Sequence, residues 1–161
     1  MATIAAIRDA HIGEQAALSD LHRRSSFVWE EDRGFLAAHP DALGVERETI
    51  AAGRVRVAVG LDGRPLAFAI VTRAPDGIRV LEDLFVEPGQ MRRGIGRSLV
   101  RDAAERAAAE GAHTMTVVAH PRNFAFYESV GFVAAGPAAT RFGPATLMSC
   151  ELAGLRTRPV P

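Results

Sequence analysis

The chain is 161 residues long and 48% hydrophobic, and its 19 basic and 19 acidic side chains cancel formally. That length suits one two-layer core, so a single domain over residues 1–161 is expected, and the balanced charge with no basic block argues against nucleic acid as a partner. Cys150 is the only cysteine and lysine is absent, which excludes an internal disulfide, a paired-cysteine zinc site, Schiff-base chemistry and a P-loop.

Thr3 to Arg8 alternates weakly and predicts a short edge strand; Ile12 to Arg24 predicts a helix with Ala17, Leu18 and Leu21 on its apolar stripe. From Trp29 to Ala52 the chain starts acidic, is broken at Pro40 and Gly44 and ends at Gly53, which suits one or two short helices. Val55, Val57 and Val59 alternate, Asp62-Gly63 turns the chain, and Leu66 to Thr72 resumes an apolar run, so a hairpin is expected. A second turn at Ala74 to Gly77 leads to Ile78–Val86, which is apolar on both faces and therefore reads as a central strand covered on both sides.

Gly94 to Glu110 carries the clearest helical period, with Ile95, Leu99, Ala103 and Ala107 on one stripe, Asp102 and Arg106 on the exposed side and Gly111 after the end. His113 to Ala119 predicts a strand, Asn123 to Val130 a short helix stopped by Gly131, and Phe132–Thr140 and Ala145–Leu152 two strands broken by Gly143-Pro144. No internal repeat is present, and residues 154–161 are expected to be loose. Met1 to Arg8 lacks the features of a signal peptide and no run reaches membrane-spanning length, so a cytoplasmic protein with no membrane partner is expected.

The segment Glu87-Pro88-Gly89-Gln90-Met91-Arg92-Arg93-Gly94-Ile95-Gly96-Arg97-Ser98 joins a buried strand to an amphipathic helix, where unpaired amides favour an anion. Gly94 and Gly96 let a diphosphate approach the backbone, and Arg92, Arg93 and Arg97 supply cationic donors. On this feature alone a tight turn with solvated arginines stands as the alternative. A Rossmann fingerprint would need a further glycine where Leu99 stands, and a P-loop would need a lysine.

Leu84-Phe85-Val86-Glu87-Pro88 followed by Arg93-Gly94-Ile95-Gly96 resembles the acetyl-CoA-binding core of GNAT N-acetyltransferases. A second segment, His120-Pro121-Arg122-Asn123-Phe124-Ala125-Phe126-Tyr127-Glu128-Ser129-Val130-Gly131-Phe132, is similar to that family's other cofactor motif, in the right order. The resemblance implies an α/β fold, with a mixed, mostly antiparallel central sheet of about seven strands flanked by helices. It implies acetyl-CoA as co-substrate and no metal. Leu84, Phe85 and Val86 would lie along the acetyl and pantetheine arm, and Met91, Arg92, Arg93, Gly94, Ile95, Gly96, Arg97 and Ser98 around the pyrophosphate. His120, Asn123 and Phe126 would complete the cofactor side. Met91 stands where the family usually has glutamine or arginine, so its backbone is expected to serve, and His120 stands where asparagine is common.

In that family the tyrosine matching Tyr127, the only tyrosine here, protonates or hydrogen-bonds the departing sulfur. The attacking amine must lose a proton first, and Glu82 and Asp83, adjacent on a strand, leave opposite faces of it, so one of them is expected in poor solvent. Leu81-Glu82-Asp83-Leu84-Phe85-Val86 is also similar to polyamine acetyltransferases, whose matching acids lie near the substrate amines; a structural ion pair with Arg79 or Arg141 is the alternative. Trp29 and Glu30, with Glu31 and Asp32, could hold a cationic small-molecule or peptide amine, or could be a solvated helix start. His11, His22, His39 and His113 lack metal-ligand spacing. The expected reaction is direct acetyl transfer in a ternary complex, with Cys150 as a weaker nucleophile candidate, a non-catalytic acyl-CoA sensor as the rival class and a homodimer possible in either case.

Overall fold

In the computed structural model, which describes residues 3–153, the apolar runs become seven strands: β1 (Ala6–Asp9), β2 (Val55–Val59), β3 (Pro65–Ala74), β4 (Ile78–Val86), β5 (Thr114–Ala119), β6 (Val133–Thr140) and β7 (Gly143–Glu151). The expected loose tail, residues 154–161, lies outside the described residues. The helices are α1 (Gln15–Ser26), α2 (Arg33–Ala38), α3 (Arg47–Ala51), α4 (Ile95–Ala109) and α5 (Phe124–Ser129). The sheet order is β1-β2-β3-β4-β5-β7-β6. β4 and β5 pair in parallel, whereas β1–β2, β2–β3, β5–β7 and β6–β7 are antiparallel. This is the mixed, helix-flanked sheet implied by the sequence, with β4 at its centre. The chain divides into two compact units, one of residues up to Ile70 with Asp83–Leu99, the other of Val71–Glu82 with the chain from Val100 onward.

The first unit has a core of Leu18 and Leu21 from α1, Val45, Ile50, Val55, Val57, Val59, Phe68 and Ile70, with Ala10 and Phe85 packed against it. Ala17 is exposed, which corrects the expected stripe: the buried positions of α1 are Leu18, Leu21, His22 and Ser25. At 100° per residue Ala17 lies about 90° from the centre of that stripe, while His22 falls inside it. Three polar side chains of α1 peg the backbone at 44–45. Gln15 Nε2 donates to the Val45 carbonyl at 3.1 Å, Ser19 Oγ accepts the Val45 N–H at 3.0 Å, and His22 Nδ1 accepts the Gly44 N–H at 2.8 Å.

Burial pushes His22 below the ordinary imidazole value, against a smaller opposing effect of the Gly44 carbonyl, 3.3 Å from Nδ1. Its folded-state pKa is depressed, so the unfolded chain binds the proton first as pH falls. Stability is then complete above the unfolded value of ~6.5 and declines below it, by at most about 1.4 kcal/mol per pH unit from this group. Denaturant midpoints between pH 7.5 and 5.0 should therefore fall more steeply for the native chain than for His22→Gln; equal slopes would show that His22 does not carry the effect.

The β2–β3 register shifts between Ala58 and Val59, so Val59 faces Pro65 while the Leu66 carbonyl accepts the Glu87 N–H at 2.8 Å. The turn before β4 needs positive φ at both Asp76 (63°) and Gly77 (72°), which matches the right-handed twist of a hairpin. A side chain at Gly77 would also meet the His113 ring, whose Cδ2 lies 2.7 Å from an ideal Cβ there.

Parallel β4 and β5 require a crossover, and α4 supplies it. Ile95, Leu99, Ala103 and Ala107 are buried as the period predicts, together with Val100 and Ala104. Arg106 Nε donates to Glu110 at 3.3 Å, and Gly111, φ 93°, ends the helix. In the second unit β7 lies between β5 and β6, pairing with β5 from Thr114↔Glu151 to Ala119↔Thr146 and with β6 from Val133↔Ser149 to Thr140↔Gly143. The turn is at Arg141-Phe142 rather than at Gly143-Pro144, which both belong to β7. Thr140 Oγ1 fixes that turn by accepting the Phe142 N–H at 3.1 Å and donating to the Gly143 carbonyl at 3.0 Å. Pro144 is tolerated because the β5 pairing ends at Thr146, two residues short of it. Edge strand β6 contains Pro137 and a register shift between Ala134 and Gly136.

Candidate active site

In the first unit the end of β4 runs into the loop before α4. Strand alternation puts Phe85 opposite Leu84 and Val86, and its ring turns toward the core, with centroids 4.2 Å from His22 and 5.7 Å from Phe68. Glu87 is then tied by its amide to Leu66, and a 3-10 turn at Pro88–Gln90 closes with Gln90 N–H donating to the Glu87 carbonyl at 2.8 Å. The backbone takes positive φ at Arg92 (63°) and Gly94 (84°), with nothing within 4 Å of where a Gly94 Cβ would stand. Ser98 directs both donors back to Gly94, its N–H and Oγ each 3.1 Å from that carbonyl, and so staples the first helical turn. The amides of Ile95 and Gly96 precede that first bond and have no acceptor inside the helix.

Arg92, Arg93 and Arg97 are exposed around this bend, Met91 and Gly96 are half-buried, and Ile95 anchors it by burying its side chain. Open backbone at glycine, helix-start amides and guanidinium groups together fit a diphosphate. Sequence reading missed Arg24, whose Nε and Nη2 bind Glu87 Oε1 and Oε2 at 2.8 and 2.7 Å. The two residues lie 63 positions apart, so no local pattern announces the pair. His22 was missed in its role against Phe85; its spacing from Leu18 and Leu21 was the available signal.

In the second unit the 3-10 turn Pro121–Asn123 leads into α5, and His120 Nδ1 caps it by accepting the Arg122 N–H at 3.3 Å. Asn123 is half-buried and makes no side-chain cap to α5. Tyr127 is buried, 7% exposed, with its ring edge-on to Phe126 at 5.1 Å and to Phe132 at 5.6 Å. The Phe132 N–H donates to the Tyr127 carbonyl at 3.0 Å, so the end of α5 and the start of β6 hold the phenol from both sides. Glu82 is exposed, and its Oε1 accepts from Thr72 Oγ1 at 2.8 Å. Arg79, a candidate partner for the acidic pair, instead reaches Glu110 at 3.4 Å, which also takes Arg73 at 3.6 Å. Cys150 is buried, with Sγ 3.6 Å from the Glu151 carbonyl.

In the first unit, Asp83 is half-buried and is the less solvated of the acidic pair. Trp29 is half-buried at the head of a 3-10 turn of Glu30–Asp32. Glu30 and Glu31 face solvent while Asp32 is buried, so the expected acidic group is divided between two environments. Among the described residues no group of three or more His, Cys, Asp or Glu side chains could hold a metal ion, and no helix is long and apolar enough to cross a membrane.

A sequence model described as the acetyltransferase (GNAT) family matches residues 15–132. The chain belongs to that family of acetyltransferases. It is similar to the streptothricin acetyltransferase of Streptomyces lavendulae, 39% identical over an 87-position alignment that covers 50% of this chain and 46% of the relative. It is also similar to the mycothiol acetyltransferase of Thermomonospora curvata, 43% identical over 60 residues, 37% of this chain and 20% of that one. The chain thus spans about half of the first relative and a fifth of the second. Its fold matches the PaiA N-acetyltransferase of Thermoplasma acidophilum, solved in complex with coenzyme A, with a TM-score of 0.74 at 17% identity over 91% of this chain and 98% of that one.

Proposed function

We propose that the chain acts as one acetyltransferase domain that moves an acetyl group from acetyl-CoA directly to an amine. The observation that carries this reading is the bend between β4 and α4 in a GNAT chain, where the open backbone at Gly94, the amides of Ile95 and Gly96, and the exposed Arg92, Arg93 and Arg97 offer the donors that a diphosphate would need. Acetyl-CoA, when bound, supplies an acetyl group activated as a thioester. The Leu84 and Val86 backbone would hold the acyl arm, and the Leu84 N–H would polarise its carbonyl. His120, Asn123 and Phe126 would flank the cofactor on their side. Tyr127 would give its proton to the departing sulfur, and its burial beside Phe126 and Phe132 supports a phenol kept from bulk water for that purpose.

Glu82, or Asp83 behind it in sequence, would take the proton of the acceptor ammonium, with Trp29 and Glu30 on the acceptor side. Glu82 is the better exposed of the two and is already oriented by Thr72. The burial of Cys150 favours direct transfer over an acyl-enzyme. Similarity to a streptothricin acetyltransferase makes streptothricin the first acceptor to try. Release of free CoA thiol should be followed with streptothricin, polyamines, aminoglycosides, amino acids and peptide N-termini. Amine-dependent release is expected; acetyl-CoA binding without turnover on any amine would replace this reading by a non-catalytic acyl-CoA-binding domain.

A further inference from the structure

Helix α1 grips the end of β4 at two alternating positions. His22 lies against Phe85 on the core side, and Arg24, two residues on, holds Glu87 with both arms of its guanidinium. The Glu87 carboxylate is the last acid before the diphosphate cradle, five positions ahead of Arg92. Its backbone cannot swing it away. The amide is bound to the Leu66 carbonyl, the Glu87 carbonyl is bound by Gln90, and Pro88 restricts the residue before it to extended backbone. An anion held there opposes a polyanionic ligand unless a cation sits on it.

We infer that Arg24 is a positioning residue for cofactor binding that acts by masking Glu87, so that the approach to the cradle presents only the field of Arg92, Arg93 and Arg97. This rests on the reading of that bend as an acetyl-CoA site. The pair is partly open to water, with side chains 53% and 27% exposed, so it contributes little to folding and its loss should leave the chain folded. Its effect belongs to the ligand's charge, which distinguishes it from a purely structural latch. A latch would need the two-armed geometry and would disturb every ligand alike; a mask needs only the positive charge and matters only to an anion.

The experiment measures calorimetric affinity for acetyl-CoA and for S-acetyl-pantetheine, which keeps the thioester arm and lacks the diphosphate nucleotide. Arg24→Gln should weaken acetyl-CoA binding about fivefold at low salt, with the loss shrinking as salt screens it. S-acetyl-pantetheine should bind Arg24→Gln as it binds the native chain. Arg24→Lys and Glu87→Gln should bind acetyl-CoA at least as well as the native chain to within about twofold, and Arg24→Gln with Glu87→Gln should regain that affinity, because the uncovered anion is gone. A double variant as weak as Arg24→Gln alone, a weak Arg24→Lys, or equal losses for both ligands would overturn the mask. Native protein that binds acetyl-CoA while every variant matches it would sink this inference alone, whereas native protein that fails to bind acetyl-CoA would sink the site with it.

Discussion

Tyr127→Phe is expected to lower kcat about 10²- to 10³-fold while leaving acetyl-CoA affinity unchanged, because on the proposed mechanism the substitution removes the proton donor and keeps the ring. The phenol sits edge-on between Phe126 and Phe132, and a phenyl ring keeps both of those ring contacts. A melting temperature close to that of the native chain should accompany the loss of turnover. Single-turnover mixing with the amine found in the acceptor screen would separate chemistry from binding. If kcat survives the change, the sulfur takes its proton from water and Tyr127 is a packing residue whose hydroxyl serves the fold.

Phe68→Ala should cost about 3–5 kcal/mol, a large share of the roughly 5–15 kcal/mol that holds a domain folded. Phe68 is fully buried in β3 and touches both His22 and Phe85 with its ring, so truncation opens a cavity whose walls are two other rings. For a chain of this length that corresponds to a fall of about 6–20 °C in Tm, or a lower denaturant midpoint at unchanged slope. The damage should not stop at stability. Phe85 lies one residue from each of Leu84 and Val86, so loss of its support should weaken acetyl-CoA binding in variant protein that is still folded. A shift under 1 kcal/mol would mean that neighbouring side chains close the gap.

The strand and helix order was legible because the periods are clean: alternating valines made β2, and four-residue spacing from Ile95 to Ala107 made α4. The strand-to-helix bend was legible because Gly94 and Gly96 follow an apolar strand and open an amphipathic period, while on that feature alone an anion site and a tight turn with solvated arginines read alike. Its fixation was not. Leu66, Arg24 and His22 meet residues 85–87 only through tertiary contacts, and a sequence window carries no trace of a partner 63 positions away. Ala17 misled because alanine suits either face of a helix, and His22 was overlooked because a polar side chain on a buried stripe needs a specific backbone partner, here Gly44. Gly143-Pro144 signalled a turn by composition, but Thr140, two residues before Phe142, bonds to both ends of the real one. The acidic residues after Trp29 could be counted in advance; their division between solvent and interior could not.

The outer strands bear on how the chain behaves in a crowd. A sheet edge is a row of unsatisfied donors and acceptors, and a neighbouring chain can dock there and begin a fibril. β6 offers a broken row, because Pro137 supplies no donor and the shifted register at Ala134–Gly136 puts its remaining groups out of step with a straight strand. β1 offers only four residues, and two of them, Arg8 and Asp9, carry charges engaged by Glu14 and Arg56. Growth from either side would have to begin on a template that is short or irregular, so neither edge offers a neighbouring strand a regular row to copy.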